Sequence, residues 1–330
     1  MEKNYELNNN LRYYSPPNKK IWNCNLSNLK SNNQYWFKNI ELSHKNLISE
    51  NKIVSNSIAL LGYACDEGVR RNNGRIGTVK GPQEIRKELG KLESNFHSKK
   101  VFDFGDVLCP NGDMEGSQNE FSEIINKLIQ KNYLTIGIGG GHDLAYGHFS
   151  GIKKTFNSHE KIGIINFDAH FDLRTPLNET NSGTPFFQIL NKWENSVNYF
   201  AIGIQKSSNS DVLYKTASKF NVNYISAEDS TANNFKVVKN KIDSFIKKCD
   251  LIYISVDLDG FSSSFAPGVS APGVSGFSTS FFNLAFKHIF KTDKVIAIDV
   301  VELNPKYDEN SITAILAAQI INLACRFYLN

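Results

Sequence analysis

From residue 57 onward, the chain alternates between short apolar runs and longer amphipathic stretches. Eight runs are almost continuously hydrophobic, and they span residues 57–64, 100–107, 133–140, 161–168, 197–204, 222–229, 251–258 and 294–301. Such strands are typical of a parallel sheet that is covered on both faces. Between them the pattern predicts one helix that opens at Gly81-Pro82, and others over 118–131, 233–248, 278–289 and 311–327. The alternation predicts an α/β fold.

The first fifty residues differ from the rest of the chain. They are rich in Asn, Lys and Tyr and lack a long apolar period. We interpret residues 1–50 as an N-terminal arm that wraps the domain, with a short helix near Ser31–Glu41. Because no linker, repeat or change of composition follows residue 57, we expect residues 51–330 to form one domain.

Polar residues interrupt the apolar pattern where three of the predicted strands end. The three segments are GGGH (139–142), DAHFD (168–172) and SVDLD (255–259). Ligands of open parallel sheets bind beyond the carboxyl ends of the strands, which is where these segments lie. A spacing of two residues would place the polar side chains of DAHFD on one side of an extended segment.

These segments supply four carboxylates and two imidazoles, from His142, Asp168, His170, Asp172, Asp257 and Asp259. Each segment alone is weak evidence, because glycine turns and acidic strand ends are common. Carboxylates that are close together repel one another and need a compensating cation. Two divalent ions balance four carboxylates, whereas one leaves them undercompensated. Oxygen and imidazole ligands without a thiolate suit Mn²⁺ or a similar ion, and two such ions can generate hydroxide near neutral pH.

Composition and charge argue against several other classes of protein. The net charge of +4 comes from 37 basic and 33 acidic residues that are spread along the chain, so no nucleic-acid-binding patch is indicated. The five cysteines (Cys24, Cys65, Cys109, Cys249 and Cys325) are widely spaced and include no CxxC pair, which favours free thiols in a reducing compartment. The N-terminus shows no apolar signal segment, and no apolar run approaches the roughly twenty residues of a membrane span. We therefore expect a cytoplasmic protein.

Together and in this order, GGGH, DAHFD and SVDLD resemble the three metal motifs of the ureohydrolase family, which contains arginases, agmatinases and formimidoylglutamases. The resemblance covers residue 57 to the C-terminus. It implies a three-layer α/β/α sandwich around an eight-stranded, mostly parallel sheet, a homotrimer or homohexamer, and two Mn²⁺ ions per subunit. The first ion would be bound by His142, Asp168, Asp172 and Asp257, and the second by Asp168, His170, Asp257 and Asp259. Asp168 and Asp257 would therefore bridge the ions.

Other segments resemble formimidoylglutamases more than arginases. They are GVRRNNGRIG (68–77), SGTPF (182–186) and APGVSAPG (266–273). Ser182 stands where arginases and agmatinases carry a histidine that is assigned to proton shuttling, so the resemblance does not support that shuttle here. The segment VELNP (301–305) matches the family's V-E-x-N-P motif, in which Glu302 would bind the amidinium of the substrate; a structural carboxylate is the alternative.

Arginines in two of these regions indicate an anionic substrate. Arg70, Arg71 and Arg75 lie among glycines in the first segment, and Arg174 lies two residues beyond Asp172. Guanidinium groups bind carboxylates in a bidentate manner, so these arginines, with Ser182, are candidate substrate-binding residues. The alternatives are a solvated basic loop for residues 70–75 and a surface ion pair for Arg174.

The hypothesis that follows is a binuclear manganese hydrolase that converts N-formimidoyl-L-glutamate and water to L-glutamate and formamide, a step of histidine degradation. Asp172 would accept a hydrogen bond from the hydroxide and pass its proton to the leaving amine. One alternative is an agmatinase- or guanidinobutyrase-type enzyme that releases urea, although arginines would disfavour the cation agmatine. Another is a binding protein that kept the fold without metal, which the complete set of ligands argues against.

Overall fold

The computed structural model describes residues 11–22, 35–43, 53, 56–94, 100–156 and 159–329. Its strands are β1 (Tyr14–Ser15), β2 (Glu41–Leu42), β3 (Ser57–Ala64), β4 (Val101–Leu108), β5 (Tyr133–Ile138), β6 (Ile162–Phe167), β7 (Val197–Ile204), β8 (Asn223–Ser226), β9 (Leu251–Asp257) and β10 (Val295–Val301). They form one sheet in the order β1-β4-β3-β5-β10-β9-β6-β7-β8, and β2 also pairs with β4.

The helices that the structure describes lie mostly between the strands. They are α1 (Lys19–Trp22), α2 (Trp36–Asn39), α3 (Glu67–Arg71), α4 (Gly81–Gly90), α5 (Met114–Gln130), α6 (Leu144–Thr155), α7 (Pro185–Trp193), α8 (Asp211–Lys219), α9 (Phe235–Ile246), α10 (Thr279–Phe290) and α11 (Ile312–Leu329).

The predicted α/β architecture is confirmed, with a small difference in the number of strands. The eight apolar runs correspond to β3–β10, which pair in parallel. The sheet has two further strands, β1 and β2, each two residues long. Strands this short have no apolar period, so the sequence pattern could not indicate them. Of the helix expected near Ser31–Glu41, residues 31–34 lie outside the described part of the chain, and a single turn follows at α2.

Apolar cores cover both faces of the sheet. In β3, Ile58 and Leu60 pack into one core and Ala59 and Leu61 into the other. The first core includes apolar residues of α4, α9, α10 and α11, and the second includes those of α5, α6, α7 and α8. The result is a three-layer α/β/α sandwich.

Helix α6 was absent from the helices that the sequence pattern predicted, and its glycines explain why. Gly147 and Gly151 lower the helix propensity of the segment. In the structure they allow α6 to pack closely on α5, because a Cβ at Gly151 would lie 2.7 Å from the carbonyl oxygen of Ser122. Helix α6 is therefore stabilised by tertiary packing that local propensity does not show.

Helix α11 contradicts one sequence-based expectation. It has 18 residues with a mean hydropathy of 1.6, so by length and composition it could cross a membrane. The expectation that no apolar run approaches this length is therefore wrong. Half of the helix is buried inside the protein, and Ala317, Ile320 and Ile321 belong to the core beside α4. This burial is typical of a core helix.

A buried ion-pair cluster joins α4 to β4. Arg86, which is 1% exposed, donates to Oδ1 of Asp103 at 2.8 Å and to Oδ1 of Asp106 at 2.6 Å. The second oxygen of Asp103 accepts a hydrogen bond from Trp22. Each charge in the cluster therefore depends on the others for compensation.

We expect Arg86→Met to lower the free energy of unfolding by about 3–5 kcal/mol, because Asp103 would remain buried without a counter-charge. Chemical denaturation would measure the change. A control is Lys87→Met, which removes the partly exposed pair that Lys87 forms with Glu84 and should cost at most about 1 kcal/mol. Equal losses in the two variants would contradict this interpretation.

Candidate metal centre

The three polar segments meet at the carboxyl edge of the sheet. Phe167 of β6 pairs with Val256 of β9, so the residues that follow them, Asp168 and Asp257, emerge side by side. The GGGH segment follows β5, and β5 is parallel to β9 with β10 between them. GGGH therefore lies at the same edge. A Cβ at Gly140 would lie only 2.0 Å from the carbonyl oxygen of Cys65, so this close approach requires glycine.

All six predicted ligands come together there, in two groups. The first contains His142, Asp168, Asp172 and Asp257, and the second contains Asp168, His170 and Asp259. Within each group, one ligand atom from every residue lies within 4.8 Å of the others. Asp168 belongs to both groups, whereas Asp257 falls in the first only.

Distances within the first group centre on His142. Its Nδ1 lies 2.9 Å from Oδ2 of Asp172, 3.0 Å from Oδ2 of Asp257 and 3.3 Å from Oδ2 of Asp168. In the second group, Nδ1 of His170 lies 3.1 Å from Oδ2 of Asp259 and 3.5 Å from Oδ1 of Asp168.

Turns, rather than an extended chain, orient these side chains. The main-chain N–H of His170 donates to Oδ1 of Asp168 at 2.6 Å, and that of Asp259 donates to Oδ1 of Asp257 at 2.8 Å. Residues Leu258–Gly260 form a 3₁₀ turn, and Asp172 has a φ of +47°. The expectation that DAHFD is extended is therefore wrong, because the strand ends at Phe167 and main-chain hydrogen bonds to the carboxylates fold the segment.

Buried asparagines that the sequence analysis missed hold the DAHFD turn. Asn209 accepts a hydrogen bond from the main-chain N–H of Phe171 at 3.0 Å and donates to the carbonyl oxygen of Ala169 at 2.9 Å. Asn166 donates to Oδ2 of Asp168 at 2.9 Å. An isolated asparagine carries no sequence signal for such a role, because only the fold brings its amide to this turn.

Hydrogen bonds at Nε2 of His142 determine the tautomer of its ring. Its Nε2 lies 2.9 Å from Oγ of Ser255, and that hydroxyl donates to Oδ1 of Asp299 at 2.6 Å. The hydroxyl of Tyr253 donates to the other oxygen of Asp299. Because a carboxylate only accepts, the single proton of Ser255 goes to Asp299, and Nε2–H of His142 donates to Ser255. In the neutral ring, Nδ1 therefore presents a lone pair to three carboxylates.

The donor set fits a bound metal. Among the described residues, Nδ1 of His142 and Oδ1 of Asp259 are buried without a hydrogen-bond partner. A cation would satisfy both atoms and remove the repulsion between the imidazole lone pair and the carboxylates. Four carboxylates and two imidazoles, without a thiolate, suit a hard or borderline divalent ion.

Without a metal, protons take the place of the cation. Although burial lowers the pKa of His142, the carboxylates of Asp168, Asp172 and Asp257 raise it well above its ordinary value. The pKa of His170 is likewise raised, by Asp259 and Asp168 against the effect of burial. Metal binding therefore has to displace protons, so metal affinity falls as the pH is lowered.

We expect Ser255→Ala to weaken Mn²⁺ binding by about tenfold to a hundredfold, because Nε2 of His142 loses the acceptor that fixes its tautomer and orientation. Titration with Mn²⁺ against a competing chelator would measure the change. Ser218→Ala, at an exposed position on α8, is the control and should bind Mn²⁺ like the wild type. Unchanged affinity in Ser255→Ala would contradict the role of this hydrogen bond.

Glu302 is buried beside the metal ligands but belongs to neither group. Its Oε1 accepts a hydrogen bond from the main-chain N–H of His142 at 2.8 Å, and its backbone has a φ of +70°. Burial raises the pKa of Glu302 to about 8. Left-handed backbone in a residue other than glycine is energetically unfavourable and is often found at functional sites.

The segment GVRRNNGRIG (68–77), which begins within α3 and continues as a loop, packs on the GGGH segment. A Cβ at Gly68 would lie 2.1 Å from Oδ1 of Asp143, and one at Gly141 would lie 2.9 Å from Cγ2 of Val69. The main-chain N–H of Ser182 donates to the carbonyl oxygen of Gly68 at 3.1 Å. Segments 68–77 and 182–186 therefore meet beside the GGGH segment.

Three of the four predicted substrate-binding arginines are engaged by carboxylates, main-chain carbonyl oxygens or an aromatic ring of the protein. Arg70 pairs with Glu67 at 2.6 Å, and Arg71 pairs with Glu67 at 2.9 Å and with Glu115 at 2.6 Å. Arg75 donates to the carbonyl oxygens of Ser270 and Val269 and lies over the ring of Tyr307 at 4.4 Å. These contacts join loops together and neutralise the charges of Arg70 and Arg71.

Arg174 is different, because its guanidinium is exposed and its side-chain partner is neutral. Its Nη1 donates to Oδ1 of Asn72 at 2.8 Å. In the part of the chain that the structure describes, no carboxylate forms an ion pair with Arg174. Asn72 also donates to Oγ of Ser182 at 3.1 Å, so the fold brings Arg174 and Ser182 together.

Comparison with known proteins agrees with this fold and site. The model of the arginase family matches residues 56–325. A formimidoylglutamase from Clostridium tetani is 42% identical over 272 residues, which is 80% of each chain. Another from Legionella pneumophila (strain Lens) is 36% identical over 319 residues, or 94% of this chain and 97% of the relative.

Among solved structures, the crystal structure of Trypanosoma cruzi formiminoglutamase with Mn²⁺₂ superposes with a TM-score of 0.73 at 25% identity. The superposition covers 86% of this chain and 96% of that one. The fold, the cluster of six ligands and the match over residues 56–325 lead to one conclusion. The chain belongs to the arginase family.

Proposed function

We propose that this protein is a formimidoylglutamase, which hydrolyses N-formimidoyl-L-glutamate to L-glutamate and formamide. Water adds to the formimidoyl carbon, the bond from that carbon to the glutamate nitrogen breaks, and the nitrogen gains a proton. The observation that carries this proposal is Arg174, a cation without a carboxylate partner among the described residues, two residues beyond the metal ligand candidate Asp172. The relatives named formimidoylglutamase support the same substrate.

We further propose that the site holds two Mn²⁺ ions. Two groups of ligands that share Asp168 support this number, and so does the balance between four carboxylates and two divalent cations. The related structure from Trypanosoma cruzi, which is described with Mn²⁺₂, supports the identity of the metal. Bound metal would supply hydroxide near neutral pH and electrostatic stabilisation of the negative charge that develops during the reaction.

Two acidic residues would handle the substrate and its proton. Glu302, buried beside His142, would hold the amidinium, whose positive charge favours the ionised carboxylate. Asp172 would take a proton from the attacking water and pass it to the leaving nitrogen. Its Oδ2 lies 2.9 Å from Nδ1 of His142, among the groups that would surround the attacking water. Ser182 cannot act as a histidine shuttle would.

Arg174 would bind a carboxylate of the substrate. The contacts of Arg70, Arg71 and Arg75 indicate that these residues shape the loops, so we now propose Arg174 alone of the four arginines as the carboxylate-binding group. Arg70 and Arg71 are already paired with carboxylates, and the guanidinium of Arg75 is engaged by two carbonyl oxygens and the ring of Tyr307. That of Arg174 is exposed, so it can form charge-assisted hydrogen bonds with a carboxylate. Ser182 would contribute indirectly, because its hydroxyl accepts a hydrogen bond from Asn72, which in turn holds Arg174.

A cytoplasmic location and a homotrimer or homohexamer remain part of the proposal. The four cysteines that the structure describes are free thiols, and Cys24 lies outside the described residues. Free thiols are typical of proteins in a reducing compartment. The assembly rests on the resemblance to the family, and light scattering of the purified protein would test it.

A comparison of substrates tests the proposed reaction. The Mn²⁺-loaded protein would be offered formimidoylglutamate, arginine, agmatine and guanidinobutyrate separately, with glutamate, formamide and urea measured as products. We expect glutamate and formamide in equal amounts from the first compound, and no urea from the other three. Urea from any of those three, without turnover of formimidoylglutamate, would favour an agmatinase- or guanidinobutyrase-type enzyme instead.

A further inference from the structure

Asn72 links two segments that are far apart in sequence. Its Oδ1 accepts a hydrogen bond from Arg174 at 2.8 Å, and its Nδ2 donates to Oγ of Ser182 at 3.1 Å. A guanidinium only donates, so the amide oxygen has to face Arg174 and the amide nitrogen has to face Ser182. Both ends of the amide are therefore used, and its orientation is determined.

The surrounding backbone supports this contact. The main-chain N–H of Asn72 donates to the carbonyl oxygen of Gly68 at 3.0 Å, and that of Arg174 donates to the carbonyl oxygen of Gly183 at 2.9 Å. A Cβ at Gly183 would lie 3.0 Å from Cδ of Arg174 and 3.2 Å from Nδ2 of Asn72. Any other residue at position 183 would therefore crowd both side chains.

The neutral charge of Asn72 sets it apart from the partners of Arg70 and Arg71, the two arginines directly before it in the chain. Arg70 and Arg71 are neutralised by Glu67, and Arg71 also by Glu115. A carboxylate orients a guanidinium and cancels its charge, whereas a carboxamide orients it and leaves the charge intact. The positive charge of Arg174 thus remains available to an anionic ligand, while its position is restricted.

We propose that Asn72 is a specificity-determining positioning residue, which directs the guanidinium of Arg174 toward a substrate carboxylate without neutralising it. This inference rests on the proposed function, because it requires a substrate that carries a carboxylate apart from its amidine. Asn72 would thereby favour anionic substrates over neutral or cationic guanidines such as guanidinobutyrate and agmatine.

Asn72→Asp tests the inference, because it changes the charge with almost no change in shape. We expect KM for formimidoylglutamate to rise about tenfold at low salt, with kcat changed less than about threefold, because Arg174 would be neutralised before the substrate binds. Inhibition by glutarate, a dicarboxylate without an amidine, should weaken by a similar factor. Added salt should reduce the difference from the wild type, since screening acts on charge and not on shape.

Asn73→Asp is the matched control. It places the same charge on the next residue of the same loop, at an exposed position where Asn73 has a φ of +58° that aspartate also tolerates. We expect its KM to stay within about twofold of the wild type. Equal increases in the two variants would show a general effect of loop charge and contradict the role of Asn72.

Asn72→Ala provides a second variant in case Asn72→Asp does not fold. It removes the hydrogen bonds without adding a charge, so KM should rise by a smaller factor that salt does not reverse. An unchanged KM in either folded variant, or a fall in kcat alone, would overturn the inference. A wild-type protein that does not hydrolyse formimidoylglutamate would instead contradict the proposed function, and the inference with it.

Discussion

Replacing Asp257 by Asn is expected to remove at least one metal ion per subunit and to lower kcat/KM by about a thousandfold or more. Oδ2 of Asp257 lies 3.0 Å from Nδ1 of His142 in the first group of ligands. Its Oδ1 accepts the N–H of Asp259, and the amide oxygen of Asn can keep that bond. The variant would therefore lose the negative charge and a metal-binding oxygen while the turn remains folded.

The same variant should not destabilise the metal-free protein. Burial and the nearby Asp259 and Asp168 raise the pKa of Asp257 well above its ordinary value. A carboxyl whose pKa is higher in the folded state than in the unfolded state destabilises the fold as the pH rises above the unfolded value. Near neutral pH, removal of this charge should therefore leave the melting temperature of the metal-free protein unchanged or raise it.

Elemental analysis, activity and thermal unfolding after treatment with a chelator would measure these effects. Asp250→Asn is the control, because Asp250 is exposed just before the opposite end of the same strand. It should keep the full metal content and activity. Full metal occupancy in Asp257→Asn would contradict the assignment of this ligand.

Replacing Glu302 by Gln is expected to lower kcat/KM by about a hundredfold or more while metal content stays unchanged. The buried carboxylate is the proposed partner of the amidinium, and its charge would be lost. Glu302 belongs to neither group of ligands, and the amide oxygen of Gln can still accept the main-chain N–H of His142. The variant should thus separate binding of the amidinium from binding of the metal.

Steady-state kinetics and elemental analysis would test the effect of Glu302→Gln. Glu309→Gln, at an exposed position a few residues further along the chain, serves as the control and should behave like the wild type. If the metal content of Glu302→Gln fell together with its activity, Glu302 would be supporting the metal site, and the proposed contact with the amidinium would be wrong.

The fold was predictable because its signals are local. Strands such as β6 and β9 are covered on both faces and are therefore apolar along their whole length, which makes them visible in the sequence. Helix α6 was not visible, because Gly147 and Gly151 reduce its propensity while permitting close contact with α5. Its stability comes from a neighbour that only the tertiary structure supplies.

The candidate metal ligands were predictable for a related reason. Asp168 directly follows β6, Asp257 is the last residue of β9, and His142 lies four residues beyond β5. Their place at one edge of the sheet therefore follows from the order of strands and polar residues. The sequence by itself thus determined the α/β sheet and the set of acidic and histidine residues at its carboxyl edge. Each strand, and the polar residues at its end, is recognisable from a short stretch of consecutive residues.

Only the tertiary structure decided which charges remain free to act. Arg71 is neutralised by Glu115, 44 residues away, whereas Arg174 is held by the neutral amide of Asn72, 102 residues away. The tautomer of His142 likewise depends on Ser255, 113 residues away. An arginine or histidine looks the same in the sequence whatever its partner, because charge compensation is set by distances of a few ångströms that the folded chain alone defines.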